Sequence, residues 1–299
     1  MRASLIIAAH NESDRLWRTV ASCVETSAGL DCEIVVADDA SWDDSVEETL
    51  RRFPQVRVIR HVERKGASPT KDLGARHARG DTLIFLDGHT KPETGAIQRL
   101  IEDVERLKGD AIITPSVTGL CVTRWKSLDH QKGHGLSLEL ERLDSAWLPL
   151  SALRQHRHQG RLFYESPGLS GCAFAVHREL YDDLRGFDPH MLFWGVEDLD
   201  FGLKCWLMGH PILHDPEPVI GHRFQQHRSG LVRLARTLPR TELGIAGRSP
   251  GRTLGSRLGV VRQTPSQCGT GTRPPARPPS PRRILVRRTV RPALAQATG

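Results

Sequence analysis

The chain has 299 residues, 38% hydrophobic and 26% charged, a balance ordinary for one globular domain plus an extension. No run approaches the roughly 18 apolar residues that a spanning helix needs, and the six cysteines (23, 32, 121, 172, 205 and 268) form no CxxC pair and no zinc spacing. The formal charge of +7 is uneven: residues 243–299 carry 11 arginines and no lysine or acid, which leaves 31 basic against 35 acidic residues before them, a net −4.

In chain order, Ser4 to Ala9 reads as a first strand, followed by His10-Asn11-Glu12-Ser13. Leu16, Val20, Cys23 and Val24 then share one stripe at helical spacing. Glu33 to Ala37 is a second strand, ending in Asp38-Asp39-Ala40-Ser41. A second helix is expected from Ser41 to Phe53 with Ser41 as N-cap. Val56 to Ile59 is a third strand. Ser68-Pro69, a cap followed by a first-turn proline, starts a third helix. Thr82 to Leu86 is a fourth strand, and it ends in Asp87-Gly88-His89-Thr90. This alternation predicts the α/β class, with a mostly parallel central sheet flanked by helices. Each polar cluster follows a strand, where open α/β sheets place their ligand crevice.

The end of the fourth strand carries the most chemistry. If the strand continues, Asp87 and His89 point to one face. Gly88 between them leaves room for a bulky anion to approach the backbone. One carboxylate and one imidazole can hold a divalent cation against a diphosphate. The alternative is a polar turn after a buried strand.

Further on, Leu199, Leu203 and Trp206 form an apolar stripe behind Glu197 and Asp198, which reads as a helix with two favourable first-turn acids. Residues 124–165 are rich in His and Arg with few clear periods, and read as a variable, ligand-facing part. His156-Arg157-His158 is either a solvated loop or a hold for an anionic ligand. Cys23 and Cys205 lie on apolar stripes as buried reduced thiols. With a first strand that begins almost at Met1, this makes the cytoplasm the expected location, or the inner membrane surface. Residues 236–299 are expected to be a basic, Pro/Arg-rich, disordered tail, since 243–299 holds 8 of the 19 prolines. No aromatics interleave with its arginines, so no nucleic acid is expected as partner. Its composition also fits a shifted reading frame in GC-rich DNA.

These pieces resemble family 2 glycosyltransferases with the GT-A nucleotide-diphospho-sugar transferase fold, and within them the polypeptide N-acetylgalactosaminyltransferase branch. The motifs that carry the resemblance are His10-Asn11-Glu12, Val36-Ala37-Asp38-Asp39-Ala40-Ser41, Arg64-Lys65-Gly66 with Gly74-Ala75, and Phe85-Leu86-Asp87-Gly88-His89. Gly168 to Phe174, Trp194-Gly195-Val196-Glu197-Asp198 and Ile220-Gly221-His222-Arg223-Phe224 follow in family order, over residues 3 to about 226.

The resemblance implies a transferase domain over 1–235, with a nucleotide-binding half (1–115) and an acceptor and metal half (116–235). It implies a UDP-sugar donor, with Asp38 or Asp39 on the uracil or ribose and His10, Asn11 and Glu12 lining the base pocket. Asp87, His89 and His222 would hold Mn²⁺ or Mg²⁺. Gly66, Gly88 and Lys71 would face the donor, Lys71 standing where the family usually has arginine; the alternative for Lys71 is an exposed helix lysine. Trp194 and Gly195 would shape the donor-sugar floor, and Gly168 to Phe174 would be a Gly-rich strand beside the acceptor. Two departures matter. The chain has Gln225 where relatives place an arginine on the diphosphate, so Arg223 or Arg228 would substitute. The branch has Trp-Gly-Gly-Glu followed by Asn, whereas here Val196 and Asp198 stand.

The Glu-Asp pair is similar to that of inverting family 2 enzymes. It makes Asp198 the general base and Glu197 a donor-sugar or acceptor contact. The expected activity is metal-dependent transfer to an acceptor hydroxyl of a glycan, protein or small molecule, with inversion. The alternatives are a retaining N-acetylgalactosaminyltransferase-like enzyme and a truncated nucleotide-binding paralogue without turnover. A nucleotidyltransferase would need a Gly-rich basic loop after the first strand, where His10-Asn11-Glu12 stands.

Overall fold

The apolar runs of the first half become strands, of which the first and fourth are buried almost throughout and the third is a half-exposed edge strand. In the computed structural model, which describes residues 1–139, 141, 145–193 and 195–224, the first half comprises β1 (Ala3–Ala9), α1 (Asp14–Thr26), β2 (Cys32–Asp38), α2 (Ser45–Arg52), β3 (Arg57–Arg60), α3 (Ala67–His77) and β4 (Thr82–Asp87). The order β3-β2-β1-β4 is parallel throughout. The second half adds β5 (Thr90–Pro92), α4 (Ala96–Arg106), β6 (Ile112–Cys121), β7 (Lys126–Gly133), β8 (Gly135–Leu136), β9 (Trp147–Leu148), β10 (Arg154–His158), β11 (Arg161–Glu165), β12 (Ala173–His177), α5 (Arg178–Asp183), α6 (Glu197–Leu207) and β13 (Ile212–His222).

One sheet runs β10-β11-β13-β6-β12-β4-β1-β2-β3, with β5 on β13 and β7 on β6. The expected parallel pattern holds for β1 to β4 and for β13 beside β6, but β12 lies antiparallel between β4 and β6, so the sheet as a whole is mixed. Burial of both faces explains why β4 is apolar from Leu83 to Leu86. Ile84 and Leu86 pack with Leu5, Ile7, Leu16, Val20, Leu100 and Val104 under α1 and α4. Leu83 and Phe85 pack on the other face with Ile6, Phe174, Tyr181, Phe187 and Phe201. Phe85 stacks on Phe174 at 4.6 Å, and Phe187 on Phe201 at 4.7 Å. Each fully buried phenylalanine contributes roughly 1.5–3 kcal/mol. Because Phe201 and Cys205 of α6 belong to this cluster, the core fixes where the acidic start of α6 sits.

Several local expectations are corrected. Ser41 does not cap α2, which starts at Ser45; its hydroxyl donates to Asp38 and its oxygen accepts the Asn11 N–H. Ser68 is inside the first turn of α3 behind Gly66, and its hydroxyl donates to the Asp188 carbonyl. Gly168 to Cys172 is irregular chain, and β12 begins only at Ala173. His156, Arg157 and His158 lie on the edge strand β10 rather than in a loop. Cys23 and Cys205 are buried and unpaired, as expected. Among the described residues no helix is long and apolar enough to cross a membrane. The tail 236–299, Gln225, Arg228 and Trp194 lie outside the described residues.

Candidate active site

The end of β4 builds a corner of potential metal ligands. The strand stops at Asp87, so strand alternation does not align Asp87 with His89. A turn does it instead, and β5 then pairs with β13 so that Thr90 faces His222. The ligand atoms of Asp87, His89 and His222 all lie within 4.8 Å of one another. The turn is pinned on every side. The Asp87 N–H donates to the Cys172 carbonyl and the Gly88 N–H to the Ala8 carbonyl. The Thr19 hydroxyl of α1 reaches the carbonyls of Gly88 and Thr90 at 3.1 and 2.8 Å.

The three side chains fit a divalent transition metal. His222 Nε2 is 3.3 Å from Asp87 Oδ2, yet neither of its buried ring nitrogens has a well-aligned hydrogen-bond partner among the described residues. A buried polar atom left so is costly unless something else satisfies it. One carboxylate and two imidazoles form a donor set suited to such ions. Burial holds the His222 pKa below the ordinary histidine value. Burial works against charge on Asp87, but Lys71, His222 and His89 hold its carboxyl well below the usual range. His89 moves up despite burial, because Glu12 and Asp87 face it.

The corner adjoins the start of α6. Lys71 of α3 is 2% exposed, so the exposed-lysine alternative is excluded. Its Nζ donates to the Gly171 carbonyl at 2.9 Å and to Glu197 Oε1 at 3.1 Å, and lies 3.9 Å from Asp87 Oδ1. Burial alone would lower its pKa, but Glu197, Asp87 and Asp198 raise it above the ordinary lysine range. One cation thus ties α3, β4 and α6 together. Asp198 Oδ2 accepts from the Gly171 N–H at 3.1 Å and Oδ1 from the Leu199 N–H at 2.9 Å. Burial and the adjacent Glu197 push its pKa up to about 6. A Cβ on Gly171 would sit 2.7 Å from Asp198 Cβ, so glycine there is what lets the carboxylate dock.

At the end of β2, the two aspartates Asp38 and Asp39 are held by the chain itself. Asp38 is fully buried, accepts from Ser41 and pairs with Arg60 Nε at 2.8 Å. Asp39 accepts the Lys65 and Gly66 N–H groups at 2.6 and 2.8 Å. The same segment bonds Phe193 in both directions: Phe193 N–H to Lys65 carbonyl at 2.6 Å, Ala67 N–H to Phe193 carbonyl at 2.8 Å. His10 Nδ1 is 2.7 Å from the Asp39 carbonyl, and Asn11 Oδ1 accepts the Trp42 N–H at 2.9 Å. Gly195 (φ +117°) and Val196 (φ +60°) carry the chain from Phe193 into α6. The Arg223 N–H donates to the His89 carbonyl at 3.2 Å.

Two glycines are required by close packing. A Cβ at Gly88 would lie 2.8 Å from Glu12 Cγ, so Glu12 occupies the space on that side of the chain. Gly66 has φ +110°, and a Cβ there would fall 1.9 Å from the Phe193 carbonyl oxygen. Gly66→Ala is therefore expected to part this seam and to lower stability by about 2 kcal/mol or more, read as a lower midpoint in thermal unfolding. Thr19 and Gly171 were not singled out for the site from the sequence. Gly171 stood inside the Gly168 to Phe174 motif, whereas nothing in the sequence around Thr19 marks it.

The model of glycosyl transferase family 2 matches residues 4–185, and the model of the N-terminal domain of galactosyltransferase matches residues 155–224. Polypeptide N-acetylgalactosaminyltransferase 6 of Mus musculus is 30% identical over 232 residues, which cover 74% of this chain and 37% of that protein. Polypeptide N-acetylgalactosaminyltransferase 12 of Homo sapiens is 31% identical over 233 residues, covering 75% and 39%. The chain thus spans well under half the length of these relatives. Among solved structures, that of GalNAc-T7 with UDP, GalNAc and Mn²⁺ superposes with a TM-score of 0.64 at 24% identity, covering 79% of this chain and 48% of that one. That of Staphylococcus aureus TarS 1-349 with UDP-GlcNAc gives 0.54 at 14%, covering 77% and 60%. The fold is accordingly the mixed α/β GT-A fold. Since the first of these models runs unbroken from β1 through α5, and so takes in Asp38, Asp39, Asp87 and His89, the chain belongs to glycosyl transferase family 2.

Proposed function

We propose that this protein is a metal-dependent glycosyltransferase that moves a sugar from a UDP-sugar to an acceptor hydroxyl, with inversion. The observation that carries this reading is the half-buried Asp87, His89 and His222 corner beside Lys71, Glu197 and Asp198. UDP and Mn²⁺ are the partners chosen because the GalNAc-T7 structure contains both. Asp87, His89 and His222 would hold Mn²⁺, or Mg²⁺, which when bound supplies Lewis-acid stabilisation of the leaving diphosphate. Lys71 adds a fixed positive charge beside Asp87 and neutralises Glu197. Asp198, with a pKa of about 6, is ionised at neutral pH and basic enough to take the acceptor proton as the new bond forms. Glu197 would contact the donor sugar or the acceptor.

A retaining N-acetylgalactosaminyltransferase-like reaction is favoured by one observation, the 30% identity to polypeptide N-acetylgalactosaminyltransferase 6. The anomeric configuration of the first-formed product, read by proton NMR, separates the two. The donor site itself is tested by calorimetric titration of UDP with Mn²⁺ and then with EDTA. Binding is expected only with the metal, and not in Asp87→Ala. Equal binding in EDTA would overturn the metal-dependent reading, and UDP binding with no transfer to any acceptor would leave a nucleotide-binding protein without turnover.

A further inference from the structure

We propose that Glu12 is a positioning residue that fixes the tautomer of His89, so that Nε2 is the nitrogen offered to the cation. The inference rests on the metal-site reading above and concerns a residue that the motif His10-Asn11-Glu12 would otherwise assign to the base pocket. His89 Nδ1 lies 2.9 Å from Glu12 Oε1. A carboxylate can only accept a hydrogen bond, so Nδ1 carries a proton, and in the neutral ring Nε2 keeps its lone pair. Glu12 cannot swing away easily, since its other oxygen accepts from Arg15 Nε at 2.9 Å. Both side chains are largely buried, which leaves water little room to replace either contact.

The backbone beneath is shaped for the reach. Gly88, between the ligands Asp87 and His89, is where Glu12 Cγ passes, and a Cβ there would stand 2.8 Å from it. The glycine therefore admits the carboxylate to the far side of the imidazole. Ligating histidines commonly present their second nitrogen to a carboxylate that sets tautomer and ring angle, and loss of such a partner typically weakens metal binding 10–100-fold.

The test uses the full chain and Mn²⁺ alone, with free ion counted by electron paramagnetic resonance. Glu12→Gln keeps an acceptor oxygen on Nδ1–H and should bind Mn²⁺ within about threefold of the parent. Glu12→Leu fills similar space without an acceptor and should bind roughly 10–100-fold more weakly. Nitrogen-15 shifts of His89 in the metal-free protein, read at a pH high enough for the ring to be neutral, should report the Nδ1–H tautomer in the parent and in Glu12→Gln, and a mixture in Glu12→Leu. Equal Mn²⁺ affinity in Glu12→Leu and the parent, or an equal loss in both variants, would overturn the proposal while the metal site stands. A parent that takes up no Mn²⁺ would remove the metal site itself, and this role with it.

Discussion

Asp198→Asn is expected to lower the transfer rate by about 10²–10⁴-fold, the usual share of a general base, and to leave metal-dependent UDP binding intact. The substitution keeps the shape of the side chain and removes its basicity. It also removes one acceptor, because both carboxylate oxygens now take backbone N–H groups, from Gly171 and Leu199. One of those donors loses its partner, at a cost of about 1 kcal/mol. An opposing effect works the other way. The pKa of Asp198 is raised by burial and by Glu197 to about 6. The folded chain therefore binds this proton more tightly than the unfolded one, and stability falls as pH rises from the unfolded carboxylate range through 6. Asparagine carries no such penalty, so the variant should melt close to the parent at pH 7.

The pH profile gives an independent readout. The parent rate should fall on the acid side as Asp198 protonates near pH 6, and the residual rate of the variant should lack that limb. Initial rates from pH 5 to 9, with UDP titrations on the same samples, check both. A variant that transfers at the parental rate would show that Asp198 is not the base, and the retaining reaction would then be the better account.

How much of this was legible in the sequence follows from where the forces act. The first four strands could be read almost to the residue: β1 and β4 because strands covered on both faces are nearly continuous apolar runs, β2 and β3 from shorter apolar runs, since β3 is a half-exposed edge strand. Asp87 and His89 could be read because they stand two positions apart, with only Gly88 between them. His222 came only through resemblance: its approach depends on β5 pairing with β13, about 130 residues later in the chain. The direction of β12 was not legible, since side-chain alternation is the same in parallel and antiparallel strands. The helix starts at Ser41 and Ser68 were misread for a shared reason. A serine hydroxyl suits a cap, but Asp38 and the Asp188 carbonyl, brought close by the tertiary fold, take these two instead. Lys71 was ambiguous because the partners that make it a buried cation, Gly171 and Glu197, lie 100 and 126 residues away.

That burial makes Lys71→Met the most destabilising change expected in the site. Methionine fills the channel of the lysine stem but leaves Glu197 without its cation, Asp87 without its nearest positive charge and the Gly171 carbonyl without its donor. Breaking a buried pair by removing one partner costs about 3–5 kcal/mol, which for a domain of this size lowers the melting temperature by about 10 °C. The pH dependence has a definite sign. The pKa of Lys71 is raised on folding, so its stabilising contribution is complete below the unfolded lysine value and constant between pH 5 and 8. The carboxylates respond instead. Without Lys71 they are more easily protonated, and protonation relieves the uncompensated charge, so the deficit should be largest at pH 8 and smaller at pH 5. Mn²⁺ should restore part of the loss, because a cation at Asp87, His89 and His222 supplies the charge that Asp87 has lost, and it should therefore raise the melting temperature of the variant more than that of the parent. Thermal unfolding at the two pH values, with and without Mn²⁺, measures all of this. A variant that melts within 2 °C of the parent at pH 8 would mean that Lys71 is not the cation that joins α3, β4 and α6.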